Sequence, residues 1–234
     1  MSIYLTGDTH REITVSKLNT SNLRAAGITM TEDDFLIILG DAGFVWDGSN
    51  SDLYWQNWLE EKPWTTIVIP GNHENYDLLK RYPLVEFNGA VARKINSKLY
   101  YIERGYIMEL EGTTFFCMGG AQSHDMSYRK EGVSWWKEEL PDSEEFARGI
   151  DNLAREGINF SIDYLLTHCA GTHITNQMGY YSQDCLTNYL YYLEKHYNLQ
   201  FKHNYFGHYH IDKQIDDLHT CVYNKIIKLD KRKD

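Results

Sequence analysis

The sequence predicts an α/β protein in which mixed β-sheets are covered by helices on the outside. Two observations carry this. Short apolar runs stop abruptly at glycine and polar residues, with helix-length segments between them. Such alternation of buried strands and helices is the pattern of α/β architecture. The middle of the chain breaks it with a hairpin signal, so the sheets cannot be purely parallel.

Taken in order, Ile3–Thr6 runs into Gly7-Asp8, Phe35–Leu39 into Gly40-Asp41, and Ile67–Ile69 into Pro70-Gly71-Asn72-His73. Tyr164–Leu166 runs into Thr167-His168, and Tyr205-Phe206 into Gly207-His208. Short β-branched or aromatic runs bounded in this way read as buried strands followed by loops. Helices are expected over Asp52–Glu61, Ser143–Glu156 and Gln183–His196. The second opens on Ser143, with Glu144 and Glu145 behind it, a capping residue followed by early acidic charge. Tyr106–Leu110 and Thr113–Met118 flank Glu111-Gly112 as the hairpin, and Cys221–Leu229 supplies a late strand with partial alternation. No repeat, low-complexity tract or linker interrupts the chain. Residues 1–234 are therefore expected to form one domain, ending in a charged, solvated tail from Lys228.

Hydrophobic residues make up 42% of the 234 and charged residues 24%, as in an ordinary globular protein. The formal net charge of −10 argues against a chain that coats nucleic acid, because such binding needs Lys and Arg to displace phosphate counterions. Aromatic residues, at 14%, are expected to supply buried area rather than a base-stacking face. Cys117, Cys169, Cys185 and Cys221 form no C-x-x-C pair, which leaves free thiols in a reducing compartment. The N-terminus lacks a signal-peptide pattern and no apolar run approaches membrane-spanning length, so a cytoplasmic location is expected.

The strand ends carry the chemistry. In open α/β sheets ligands gather beyond the carboxyl ends of strands. Here those ends read Gly7-Asp8-Thr9-His10, Gly40-Asp41, Gly71-Asn72-His73-Glu74, Thr167-His168 and Gly207-His208-Tyr209-His210. Any one of these is ordinary turn chemistry. Five at five successive strand ends point to a metal site, and carboxylate, amide and imidazole donors without thiolate suit divalent manganese, iron or zinc.

The order G-D-x-H, G-D, G-N-H-E, H, G-H-x-H, from Gly7 to His210, resembles the calcineurin-like metallophosphoesterase superfamily, in particular its small bacterial and phage members with a G-D-x-G second motif. The resemblance implies a four-layer αββα sandwich and a metal-dependent hydrolase of phosphomonoesters or phosphodiesters. It also implies two divalent ions, manganese before iron or zinc. One would be held by Asp8, His10, Asp41 and His210, the other by Asp41, Asn72, His168 and His208. Asp41 would bridge them, and a hydroxide shared by the ions would attack phosphorus in line. Asn72 would also touch substrate, and His73 would face the leaving group as a general acid.

The sequence departs from the family pattern in two places. Many members read G-D-x-x-D, whose second Asp orients the histidine of G-N-H; here that position is Phe44, which leaves Asp47 and Glu74 as alternatives. The arginines of the Ser/Thr protein phosphatase branch are absent, with Phe44-Val45-Trp46 and Pro70 in their regions. Arg129 is a candidate phosphate contact, or else a surface cation. The stretch Gly119–Asp125 is expected to line the cleft, with His124 more a loop residue than a substrate contact, while Trp135 and Trp136 either cap the site or close a core edge. His173, His196, His203 and His219 match no motif and are left outside the ligand set. The expected partner is a small phosphoester, with no membrane and with nucleic acid only as a substrate. The other readings are a catalytically silent scaffold of this fold and a nuclease of the same family.

Overall fold

The computed structural model describes residues 1–229. In chain order the strands are β1 (Ile3–Thr6), β2 (Phe35–Ile38), β3 (Thr65–Val68), β4 (Leu84–Phe87), β5 (Ala90–Lys94) and β6 (Leu99–Ile102). There follow β7 (Tyr106–Leu110), β8 (Thr113–Met118), β9 (Tyr164–Thr167), β10 (His203–Phe206), β11 (Lys213–Gln214), β12 (His219–Cys221) and β13 (Ile226–Lys228). The α-helices are α1 (Thr20–Ala25), α2 (Asn50–Glu60), α3 (Tyr76–Leu79), α4 (Ser143–Ala154), α5 (Thr172–Gln177) and α6 (Cys185–Lys195).

Two mixed sheets form. The first has the order β13-β1-β2-β3-β6-β5-β4, and the second β11-β12-β10-β9-β8-β7. Strands β1, β2, β3 and β6 run parallel, as do β8, β9, β10 and β12. The parallel strands are apolar on both faces because both faces are covered. Alternate residues of the first sheet, such as Leu5, Ile37 and Ile67, meet Met108, Phe115 and Leu166 of the second in one core. The opposite parity, with Tyr4, Leu36, Ile38 and Val68, packs against Leu59 of α2 and Tyr76 and Leu79 of α3. On the outer face of the second sheet Phe116 and Leu165 pack against Leu153 of α4 and Leu186, Leu190 and Leu193 of α6. Three apolar layers between helix, sheet, sheet and helix make the expected αββα sandwich.

The hairpin of β7 and β8 falls where expected, and the other expected strands and helices are present with ends shifted by a few residues. Three details differ from the sequence reading. The residue that caps α4 is Asp142, not Ser143: its Oδ1 accepts from the backbone N–H groups of Glu144 and Glu145, and Glu145 reaches back to the Asp142 N–H. The segment Cys221–Leu229 is not one strand but the end of β12 and all of β13, which belong to different sheets. Strands β4 to β6 were not anticipated; β4 lies at the sheet edge and is largely exposed. The charged tail beyond Leu229 lies outside the described residues.

Candidate metal centre

The loops after β1, β2 and β3, neighbours in the first sheet, meet the loops after β9 and β10 of the second at one end of the sandwich. Backbone bonds lock the first two together, with the Thr9 and His10 N–H groups donating to the Asp41 carbonyl at 3.2 and 2.9 Å. Lys17 fastens the β1 loop from behind, its half-buried side chain donating to the Gly7 and Asp8 carbonyls at 2.9 and 2.8 Å. Two glycines permit the crowding: a Cβ at Gly71 would stand 2.1 Å from Asp41 Oδ1, and one at Gly207 2.3 Å from Asp8 Oδ1. His10, Asp41, His208 and His210 all hold left-handed backbone, φ 42 to 66°, which is uncommon for residues with a Cβ and clusters where a site dictates geometry.

Two donor groups result. Asp8, His10 and His210 converge, with Asp8 Oδ2 3.1 Å from His210 Nε2 and 3.7 Å from His10 Nε2. Asp41, His168 and His208 form the other, with Asp41 Oδ1 3.2 Å from His168 Nε2. Asp41 belongs to both neighbourhoods, because its Oδ2 lies 3.8 Å from His10 Nε2. Asn72 turns its Oδ1 to within 3.1 Å of His168 Nε2, and its amide nitrogen donates to Ser123 Oγ at 3.0 Å. All seven sequence-predicted ligand residues are thus brought together.

The donor set fits divalent cations. Both carboxylates are buried, and Asp8 Oδ2 has no hydrogen-bond donor. Burial alone would raise the Asp41 and Asp8 pKa values, yet the surrounding histidines hold both well below the usual carboxylate range. Burial would likewise lower His168, but Asp41, Asp8 and its bond to the Leu39 carbonyl raise it to about 9. The centre therefore demands positive charge, and a cation can take the place of that proton. The His168 Nδ1 sits 2.6 Å from the Leu39 carbonyl, a bond that fixes the ring and leaves Nε2 facing the centre.

His73 lies at the rim. Its backbone N–H donates to Asp41 Oδ1 at 2.7 Å, and its ring stacks on Trp46 with centroids 6.3 Å apart. Neither carboxylate left open as its partner reaches it. Glu74 is buried behind the loop, accepting from the Ala42 N–H at 2.9 Å, and Asp47 accepts from the Ser49 N–H and pairs with Arg11. Phe44, in place of the family carboxylate, is fully buried in the core. Instead Arg129 Nη2 sits 3.1 Å from His73 Nε2, while its Nε donates to Asp125 at 2.8 Å. Burial first, then Arg129, lowers the His73 pKa.

A family model described as calcineurin-like phosphoesterase matches residues 1–212. The chain belongs to that family. No curated protein matched the sequence. Among solved structures, a phosphopantetheinyl hydrolase from Mycobacterium tuberculosis is similar at 16% identity and a TM-score of 0.49, over 95% of this chain and 89% of that one. The fold and family are those of metal-dependent phosphoester hydrolases.

Sequence reasoning did not single out Trp46 or Asp52 for this calcineurin-like chain. Asp52, in the first turn of α2, accepts from the N–H groups of Trp46, Asp47 and Gly48 and pairs with Arg11, so it clamps the loop that presents Trp46 to His73. No local motif announces such a clamp. His124 is exposed, its ring 5.8 Å from that of His208. Trp136 closes a core edge, donating to Asp77 at 3.0 Å and meeting Trp46 edge-on. His173 and His219, left outside the ligand set, come together with Glu194 away from the centre. Among the described residues no helix is long and apolar enough to cross a membrane.

Proposed function

We propose that the chain hydrolyses a small phosphoester at a dinuclear centre, with Asp8, His10, Asp41 and His210 at one ion and Asp41, Asn72, His168 and His208 at the other. The observation that supports this best is the pair of adjoining donor groups sharing the buried Asp41. Divalent ions there, manganese being the expected pair, supply Lewis acidity and activation of water at neutral pH. The protein's own part is to bind and orient. A cleft of about 240 Å³ opens between His10, Arg11, Gly43, Trp46 and His73.

In this reading Arg129 takes a phosphoryl oxygen, its charged fork trading the contact with His73 for a charge-assisted bond; its 3.1 Å approach to His73 supports this. The arriving anion would favour protonation of His73, which then gives its proton to the departing oxygen. Trp46 holds the imidazole plane while this happens. The free thiols of Cys117, Cys169, Cys185 and Cys221 fit a reducing, cytoplasmic setting.

Turnover of p-nitrophenyl phosphate and bis-p-nitrophenyl phosphate with added manganese tests the reading. Activity in the wild type and a loss beyond ~10²-fold in Asp41→Asn is expected, more than outer-shell changes at metal sites usually cost. Silence toward a panel of phosphoesters and nucleic acids at every metal loading would overturn it.

A further inference from the structure

A second group of metal-type donors lies on the outer side of the second sheet. His173 comes from α5, Glu194 from α6 and His219 from β12. His173 Nε2 lies 3.0 Å from Glu194 Oε2, and His219 Nε2 lies 3.2 Å from that same oxygen. One donor atom from each residue falls within a common 4.8 Å span. Donors bonded to one zinc at ~2.0–2.2 Å along tetrahedral directions stand roughly 3.3 Å apart, so these separations match the edges of such a site.

The surroundings favour an ion over a simple hydrogen-bonded triad. His219 Nδ1 is 2.7 Å from Asp216 Oδ1, the carboxylate–histidine arrangement that places the proton on Nδ1 and turns the Nε2 lone pair toward a metal. Without an ion, His219 must carry a full charge to donate to both carboxylates. His173 Nδ1 is buried without a hydrogen-bond partner, and the ring turns Nε2 into the cluster. Side-chain exposure is 15% at His173 against 6% at Glu194 and 3% at His219, which leaves an approach from the His173 side.

We propose that His173, Glu194 and His219 form a third cation site, separate from the dinuclear centre, that takes a single zinc ion with a water as fourth ligand. Two imidazoles and one carboxylate are a donor set that zinc accepts in tetrahedral geometry. The ion would tie α5 and α6 to β12, and α5 follows directly on the loop that carries His168.

Zinc stoichiometry of the full chain decides it, read by elemental analysis after chelation and titration. An Asp8→Asn/Asp41→Asn chain, impaired at the dinuclear centre, is expected to retain one tightly held zinc, and adding His219→Gln should remove that one equivalent. His173→Gln, at the more exposed ligand, gives the same reading if the buried substitution prevents folding. Cobalt in place of zinc should give intense tetrahedral visible bands that vanish in either variant. Equal zinc counts with and without His173→Gln would overturn the proposal, leaving the triad a charged hydrogen-bond staple. Phosphoesterase activity is a separate readout, so failure of the dinuclear reading leaves this test intact.

Discussion

At His73 an aromatic face and a guanidinium stand where the family more often has a carboxylate, and the difference decides how the side chain can act. Trp46 stacks on the ring, while burial and Arg129 oppose its protonation. If His73 serves as the proposed acid, its protonation is favoured by the substrate's own charge. Two substitutions separate the roles. His73→Asn is expected to lower kcat by ~10²–10⁴-fold on an alkyl phosphoester, which needs a proton on the leaving oxygen. With p-nitrophenolate, which departs readily as an anion, the loss should be small, and equal losses on both substrates would remove His73 from the acid role. Arg129→Gln should instead raise KM tenfold or more, the order given by ~1.5–3 kcal/mol for a charge-assisted hydrogen bond. Steady-state kinetics distinguishes the two patterns.

Among the elements, α4 illustrates local chemistry with a measurable consequence. The Asp142 cap and the answering Glu145 satisfy helix-end N–H groups that the core cannot reach. Asp142→Ala should cost about 1 kcal/mol, which in a domain of this size lowers Tm by about 2–4 °C by calorimetry. On the second sheet, Asp163 joins β8 to the approach of β10. Its Oδ2 accepts from the Thr114 N–H and hydroxyl at 2.9 and 3.0 Å, and its Oδ1 pairs with Lys202 at 2.7 Å. Burial opposes the charge, but Lys202 and Thr114 prevail and hold the pKa below its ordinary 3.8. A depressed carboxylate stabilises the fold above its unfolded pKa and loses that contribution as pH falls through the folded value. Asp163→Asn is thus expected to cost about 1 kcal/mol at pH 7, with the gap to wild type closing as pH falls below 3.8. A gap that persists at pH 2 would show that the charge is not its source.

Across the whole molecule the centre is a seam between two sheets. Asp8, Asp41 and Asn72 stand at the ends of strands in one, His168 and His208 at the ends of strands in the other. Ions held by both sheets bind the folded state and not the unfolded chain. Chelation should therefore lower Tm, and free metal at a hundred times its Kd restores about 2.7 kcal/mol. Differential scanning fluorimetry with manganese returned after chelation checks this; a Tm indifferent to metal would mean the sheets hold together without it.

The order of strand-end motifs singles out Asp8, His10, Asp41, Asn72, His168, His208 and His210 from sequence, and the fold brings these residues together at one end of the sandwich. Metal ligation of this kind demands particular residue types at loop positions, and that demand is written locally. Parallel strands β1, β2, β3, β8, β9 and β10 were legible for a similar reason, since burial on both faces forces continuous apolar runs. The edge strand β4 and its neighbour β5 were not, because half-exposed strands carry mixed signals. Nor could sequence place Trp46 and Arg129 around His73, or gather His173, Glu194 and His219 from three separate elements. Those contacts arise from packing between segments remote along the chain, and only the tertiary structure decides which of them meet.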